Sequence, residues 1–132
     1  MPAETDLPTL LRTMTPELQD GEFVFCTIAP EQLSYLTCEP LCQFREPEGM
    51  TLILSRQQAE ECHVDYTYVS RMITLTVHSD LEAVGFLAAI TAKLAEHDIS
   101  VNAVSAYYHD HLFVPTDRAH DAMRALLELS GE

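Results

Sequence analysis

Between Arg71 and Tyr108 the chain carries a strand pattern, a helix pattern and a second strand pattern in unbroken succession, and no other feature constrains the fold as tightly. Ile73, Leu75 and Val77 alternate with Thr74, Thr76 and His78, the period of two that gives a strand one apolar face. That face needs a cover. Val84, Leu87, Ile90 and Leu94 supply it at helical spacing, with Thr91, Lys93 and Glu96 outside the stripe. Ser79 followed by Glu82 has capping-box spacing, so the pattern predicts an amphipathic helix beginning directly after the strand. Ile73, Leu75, Val77, Val84, Leu87, Ile90 and Leu94 are therefore expected in one core. Gly85 falls inside that helix, where glycine is about 1 kcal/mol less favourable than alanine. A packed neighbour, a partner chain or a ligand is expected to approach the backbone there. Ala88, Ala92 and Ala95 add a seam of small residues.

The flanking segments read as shorter elements. Asp6 to Met14 is a helix that Thr5 or Asp6 can cap, with Pro8 in its first turn and Leu7, Leu10, Leu11 and Met14 on one face. Thr15-Pro16 stops it. Glu22 to Ile28 is a strand apolar on both faces, Pro30 to Leu36 a helical turn, and the segments around the turn Arg45 to Gly49 a hairpin ending at Leu54. Gln57 to Cys62 gives a short helix and Tyr66 to Val69 a further extended piece. Beyond the central stretch, Ile99 to Tyr108 pairs with Leu112 to Val114. A final helix follows Pro115-Thr116-Asp117, with Ala119, Ala122, Met123, Leu126 and Leu129 inward and Gly131 near its end. Two runs of nearly the same element order suggest an internal duplication whose first copy has eroded helices.

A chain of 132 residues makes one domain of ordinary size or two very small ones sharing a core. Its hydrophobic content of 47% suffices for a folded globule, and no apolar run approaches the roughly 18 residues of a membrane span. The N-terminal Met-Pro-Ala-Glu-Thr-Asp lacks the basic-then-apolar order of a signal peptide, so a cytoplasmic protein is expected. Acidic residues number 21 against 7 basic ones, a formal charge of −14 that opposes nucleic acid or an anionic membrane as partner. A solvated surface accounts for the excess, as would a high-salt source organism. Cys26, Cys38, Cys42 and Cys62 form no Cys-x-x-Cys pair and lie in or beside apolar segments. Buried thiols in a reducing compartment are expected rather than disulfides or a zinc site.

The stretch Ile73 to Ser105 resembles an ACT domain. Gly85, Leu87, Ala88, Ile90, Leu94, Ile99 and Asn102 match that family's strand, its loop ending in glycine, its Leu-Ala-x-Ile helix and its second strand. The wider chain, including Phe23-Val-Phe-Cys-Thr, Glu48-Gly-Met-Thr-Leu-Ile-Leu and Ala106-Tyr-Tyr-His-Asp-His-Leu-Phe-Val-Pro, is similar to small free-standing bacterial and archaeal proteins built from two ACT-like units. The resemblance implies an α+β fold of tandem ferredoxin-like βαββαβ units, with antiparallel sheets and helices on one face. Residues 1–66 would form a degenerate first unit with an extra N-terminal helix, and residues 67–132 the second. It also implies a regulatory, non-catalytic protein without a cofactor that binds a free amino acid or similar small effector where units meet. The second copy lacks a fourth strand after its last helix, so Glu22 to Ile28 or a partner chain is expected to cover that edge. A homodimer is the expected assembly.

The residues themselves agree with an effector site. A helix N-terminus offers unpaired N–H groups suited to a carboxylate, and a glycine there admits a ligand to the backbone. An acidic side chain can meet an ammonium group, and Asn102 can donate and accept. The expected ligand-binding set is His78, Ser79, Asp80, Glu82, Val84, Gly85, Phe86 and Asn102. The plainer account is that Ser79 and Glu82 only cap the helix and Asn102 only ends a ladder. His109 and His111, one residue apart, are the candidates for a metal, against an ordinary turn packed with Tyr107 and Tyr108. No glycine-rich phosphate loop, nucleophile elbow or spaced nucleophile and base points to catalysis. A metal-binding protein or metal-dependent enzyme using His109 and His111, and an assembly protein without ligand, are the alternatives.

Overall fold

The structure is a computed structural model that describes residues 3–131. Its helices and strands follow in chain order as α1 (Leu7–Thr13), β1 (Thr15–Leu18), β2 (Phe23–Ile28), β3 (Cys42–Glu46), β4 (Gly49–Ser55), α2 (Arg56–Glu61), β5 (Thr67–Thr76), α3 (Phe86–Glu96), β6 (Asn102–Ser105), β7 (Asp110–Pro115) and α4 (Ala119–Leu129). Short 3-10 turns at Pro30–Tyr35 and Thr116–Arg118 precede β3 and α4. The chain divides into two compact units, residues 21–70 and the remainder, which joins the segment up to Asp20 with that from Arg71 onward.

In the unit of residues 21–70 the strands lie in the order β3-β4-β2-β5, all antiparallel where they pair. Counted along the chain, that is strand, helical turn, strand, strand, helix, strand, the ferredoxin-like plan. Val24 and Cys26 of β2 pack with Met50, Leu52, Leu54 and Ala59 in a small core. Ser55 caps α2 through a reciprocal box: its hydroxyl accepts from the Gln58 N–H at 3.0 Å, while the Gln58 side chain accepts from the Ser55 N–H at 3.2 Å. The helix ends in a Schellman motif. His63 takes φ +54, and the Val64 and His63 N–H groups donate to the carbonyls of Ala59 and Glu60.

The other unit has the strand order β1-β5-β7-β6 and the larger core. Leu10 and Met14 pack there with Ile73, Leu75, Phe86, Ile90, Leu94, Leu112, Val114, Ala122 and Leu126. Asp6 caps α1, its carboxylate accepting from the Thr9 N–H at 3.1 Å, and Pro8 occupies the first turn as the sequence suggests. α3 closes on a second Schellman motif, with Asp98 at φ +56 and the Ile99 N–H on the Leu94 carbonyl.

Three expectations are corrected. The open edge of this unit is covered neither by Glu22 to Ile28 nor by a partner: β1 pairs antiparallel with β5, Thr15 opposite Thr76 and Leu18 opposite Ile73. The proline that stops α1 thus sits within a strand. Second, the extended pieces at Tyr66 to Val69 and Ile73 to Val77 are one ten-residue strand, β5. Third, α3 begins at Phe86 rather than after Ser79, so the Ser79/Glu82 capping box does not form. Val84, expected in the core, is consequently 83% exposed on the loop before the helix.

Candidate functional site

After β5 the chain cannot enter a helix at once, because a neighbouring segment holds it extended. Glu4 forms a parallel bridge with Ser79: the Glu4 N–H donates to the His78 carbonyl at 2.9 Å, and the Asp80 N–H to the Glu4 carbonyl at 2.8 Å. Asp80 then folds the loop back. Its Oδ1 accepts from the Glu82 N–H at 2.8 Å and its carbonyl from the Ala83 N–H at 2.9 Å, a turn aspartates favour. Gly85, at φ +90, reorients the chain into α3. No side chain caps that helix, so its first-turn N–H groups have no side-chain acceptor at the end nearest the loop.

The β6–β7 hairpin supplies the opposite wall. Asp110 lies on the face of β7 shared with Leu112 and Val114 and is buried. Its carboxylate accepts from the hydroxyl of Ser105 across the hairpin and from the hydroxyl of Ser79, 3.4 Å away on the loop. Asp110 thereby ties hairpin to loop. Two adjoining clefts open around this link. One, about 370 Å³, is lined by Ala3, His78, Ser79, Asp80, Leu81 and Tyr107. The other, about 70 Å³, shares Ser79, Asp80 and Leu81 and reaches Phe86 and Leu87 of α3 and Ser105, Ala106 and Asp110 of the hairpin. The His78 and Tyr108 rings stand 5.4 Å apart, with Tyr107 edge-on to Tyr108 at 5.0 Å. In the smaller cleft the carboxylates of Asp80 and Asp110 and the hydroxyls of Ser79 and Ser105 thus share a lining with the first residues of α3, a helix end that carries partial positive charge.

Of the residues expected to bind a ligand, His78, Ser79, Asp80 and Phe86 line these clefts. Glu82, Val84, Gly85 and Asn102 do not. Glu82 and Val84 are exposed once the loop replaces the expected first helical turns. Gly85 shapes the entry to α3 instead. Asn102 sits opposite Phe113 at the far end of β6, three residues and so about 10 Å from Ser105 at the cleft. Ser105, Tyr107 and Asp110 were missed as a set. Their one signal was an aspartate continuing the apolar alternation of Leu112 and Val114.

His109 and His111 spend their Nδ1 atoms within the fold, the first against the Val77 carbonyl at 3.3 Å and the second against the Thr74 hydroxyl at 3.0 Å. Burial, followed by the neighbouring His109, lowers the His111 pKa, with Asp110 opposing. Among the described residues, no group of three or more His, Cys, Asp or Glu gathers in a metal-binding arrangement.

An ACT-domain family profile matches residues 2–71 and a second ACT-domain profile matches residues 67–128. The chain belongs to the ACT-domain family. ACT domains are regulatory domains that typically bind small-molecule effectors and oligomerise. Among solved structures, a protein of unknown function from Vibrio cholerae, titled a possible transport protein, is 48% identical over 94% of this chain and 95% of its own, with a TM-score of 0.85. A protein from Agrobacterium tumefaciens is 12% identical, with 89% of each chain covered and a TM-score of 0.71. The ligand-free regulatory subunit of aspartate kinase from Thermus thermophilus is 10% identical over 90% of this chain and 97% of its own, with a TM-score of 0.69. The last two share the fold. A comparison with curated proteins finds no match. Among the described residues no helix is long and apolar enough to cross a membrane.

Proposed function

We propose that this ACT-domain protein is a non-catalytic regulatory sensor for a free amino acid, working in the cytoplasm as a homodimer. The observation that carries the reading is the smaller cleft, where Asp80 and Asp110 share a lining with Phe86 and Leu87 at the uncapped N-terminus of α3, with the larger cleft adjoining it. An α-ammonium group suits the carboxylates, and an α-carboxylate suits the N–H groups of Phe86 and Leu87. Ser79 supplies a hydroxyl between them, and His78 with Tyr107 gives the larger cleft room and an aromatic wall for a side chain. The second protomer is supported by the exposed edge of β6 and by Ala88, Ala92 and Ala95, which lie exposed along α3.

Thermal unfolding with each free amino acid, and separately with zinc and manganese salts, tests the reading. A ligand at 100 times its Kd stabilises by about 2.7 kcal/mol. The expected result is stabilisation by an amino acid, abolished in Asp80→Ala and retained in His111→Asn. Stabilisation by metal alone would favour the enzyme or metal-binding alternative, and no response to either would favour an assembly protein. Sedimentation equilibrium of the full chain checks the dimer.

A further inference from the structure

We propose that Cys38 and Cys62 form a thiol–disulfide exchange site in the unit of residues 21–70, reacting with low-molecular-weight disulfides. The two residues are 24 positions apart in sequence, yet their sulfurs lie 3.3 Å from one another. A disulfide bond is about 2.05 Å long, so the pair must close by roughly 1.2 Å, a distance within the range of side-chain rotation. Both thiols are partly exposed, whereas Cys26 is buried in the core. The Schellman motif that ends α2 fixes Cys62 at the helix terminus, so the proximity follows from the backbone and not from a mobile tail.

The pair is asymmetric in a way that assigns roles. Cys62 lines a cleft of about 350 Å³ together with Thr27, Gln32, Tyr35 and His63, and Cys38 does not. A disulfide entering the cleft therefore meets Cys62 first. In the reduced pair the Cys62 thiol donates to the Cys38 sulfur, and the Thr37 hydroxyl, 3.7 Å from the Cys62 sulfur, can donate to it. These contacts lower the Cys62 pKa, while burial and then Cys62 itself raise that of Cys38. A thiolate in contact with a donor and open to solvent is the attacking species in exchange chemistry.

The reaction runs in two displacements. The Cys62 thiolate attacks one sulfur of R–S–S–R, forming a Cys62–S–S–R bond and expelling R–S⁻, which takes a proton from water. Cys38 then gives up its proton and attacks the Cys62 sulfur, forming the Cys38–Cys62 bond and expelling the second R–S⁻. Two electrons pass from the cysteines to the small disulfide, giving two molecules of R–SH. The product joins the segment after the 3-10 turn to the end of α2.

The full chain, reduced and freed of reductant, is incubated with oxidised glutathione, alkylated and digested after glutamate. Cleavage after Glu31, Glu48 and Glu61 places Cys26, Cys38 with Cys42, and Cys62 in three peptides, since the bonds after Glu39 and Glu46 precede proline, and fragment ions between Cys38 and Cys42 assign the link to one of them. The expected product is a Cys38–Cys62 peptide pair lighter by two hydrogen atoms and carrying no glutathione. Cys38→Ser should trap glutathione on Cys62, Cys62→Ser should slow reaction at Cys38 by about tenfold or more, and Cys42→Ser should cross-link as the parent does. Glutathione persisting on Cys62 in the parent chain, cross-links to Cys42 instead, or four cysteines left unmodified would each overturn the proposal.

Discussion

Replacing Gly85 with alanine decides between two accounts of that glycine by the sign of the effect. The apolar spacing of Val84, Leu87, Ile90 and Leu94 places it inside a helix, where alanine would stabilise by about 1 kcal/mol. The structure gives it φ +90 at the N-cap of α3, a conformation in which a Cβ costs roughly 1–2 kcal/mol. Restricting the unfolded chain returns about 0.4–1 kcal/mol of that. The new Cβ would also meet Leu7 Cδ2 at 3.4 Å, the mobile end of a side chain that can give way, so sterics add little. The net expectation is a loss of about 1 kcal/mol. Asparagine, which enters the left-handed region more readily, should lose less, and valine, with its branched Cβ, more. Urea unfolding measures the series, since an unchanged m-value lets the midpoints be compared directly. An alanine variant more stable than the parent, or asparagine and valine variants equally destabilised, would refute the left-handed assignment.

A pH dependence and a core truncation extend the test. His111 has its pKa lowered from the ordinary 6.5, so the unfolded chain binds its proton more readily than the folded one. Its contribution is therefore fully present above pH 6.5 and is lost as pH falls through the depressed folded value. His111→Asn should flatten the urea midpoint in that window. Asp6 and Asp121, held below the ordinary 3.8 by Thr9 and Arg118, titrate at lower pH and leave the window clear. An unaltered profile would refute the assignment. Leu10→Ala should destabilise by about 2–5 kcal/mol, because Leu10 is fully buried among residues drawn from 73–126. A loss within about 0.5 kcal/mol, the usual range for surface changes, would mean that α1 does not pack in that core.

The sequence was most legible where a single periodicity ran long enough to dominate. The alternation at Ile73 to Val77, the 3.6-residue stripe through Ile90 and Leu94, and the Asp6-to-Pro8 helix start each correspond to an observed element. Local capping rules misled where a competing long-range bond existed. Ser79 and Glu82 satisfy the box by spacing, but a backbone bridge to Glu4, distant in sequence, holds Ser79 extended, while the box that does form is Ser55 with Gln58. Asp98 and His63 adopt left-handed conformations at helix ends without being glycine, so those stops left no mark in composition. The site was half legible for the same reason. His78, Ser79 and Asp80 follow a readable strand, but the hairpin wall of Ser105, Tyr107 and Asp110 depends on the register of β6 with β7, where Ser105 faces Asp110.

The position of β1 supplies the strand that the linear order of elements lacks. In residues 21–70 the fourth strand of the βαββαβ plan is the first part of β5, which pairs with β2 through Phe23 opposite Ser70 and Phe25 opposite Thr67. The second part of β5, from Ile73 to Thr76, is the first strand of the other unit and pairs with β1. β5 is ten residues long, about twice the ordinary length, and its polar middle at Ser70-Arg71 gives the appearance of two strands. The fourth strand of that unit comes from the N-terminal side as Thr15-Pro-Glu-Leu. A four-residue strand containing a proline carries no alternation signal and lacks one donor. Pairing does not depend on that donor alone, since the ladder continues where the Gln19 N–H donates to the Met72 carbonyl, and the Arg71 guanidinium donates to the Gln19 carbonyl, each at 2.9 Å. A permuted strand therefore closes the edge that a linear count leaves open. It also accounts for the N-terminal segment folding with residues after 71, since β1 and α1 are the missing strand and its adjoining cover.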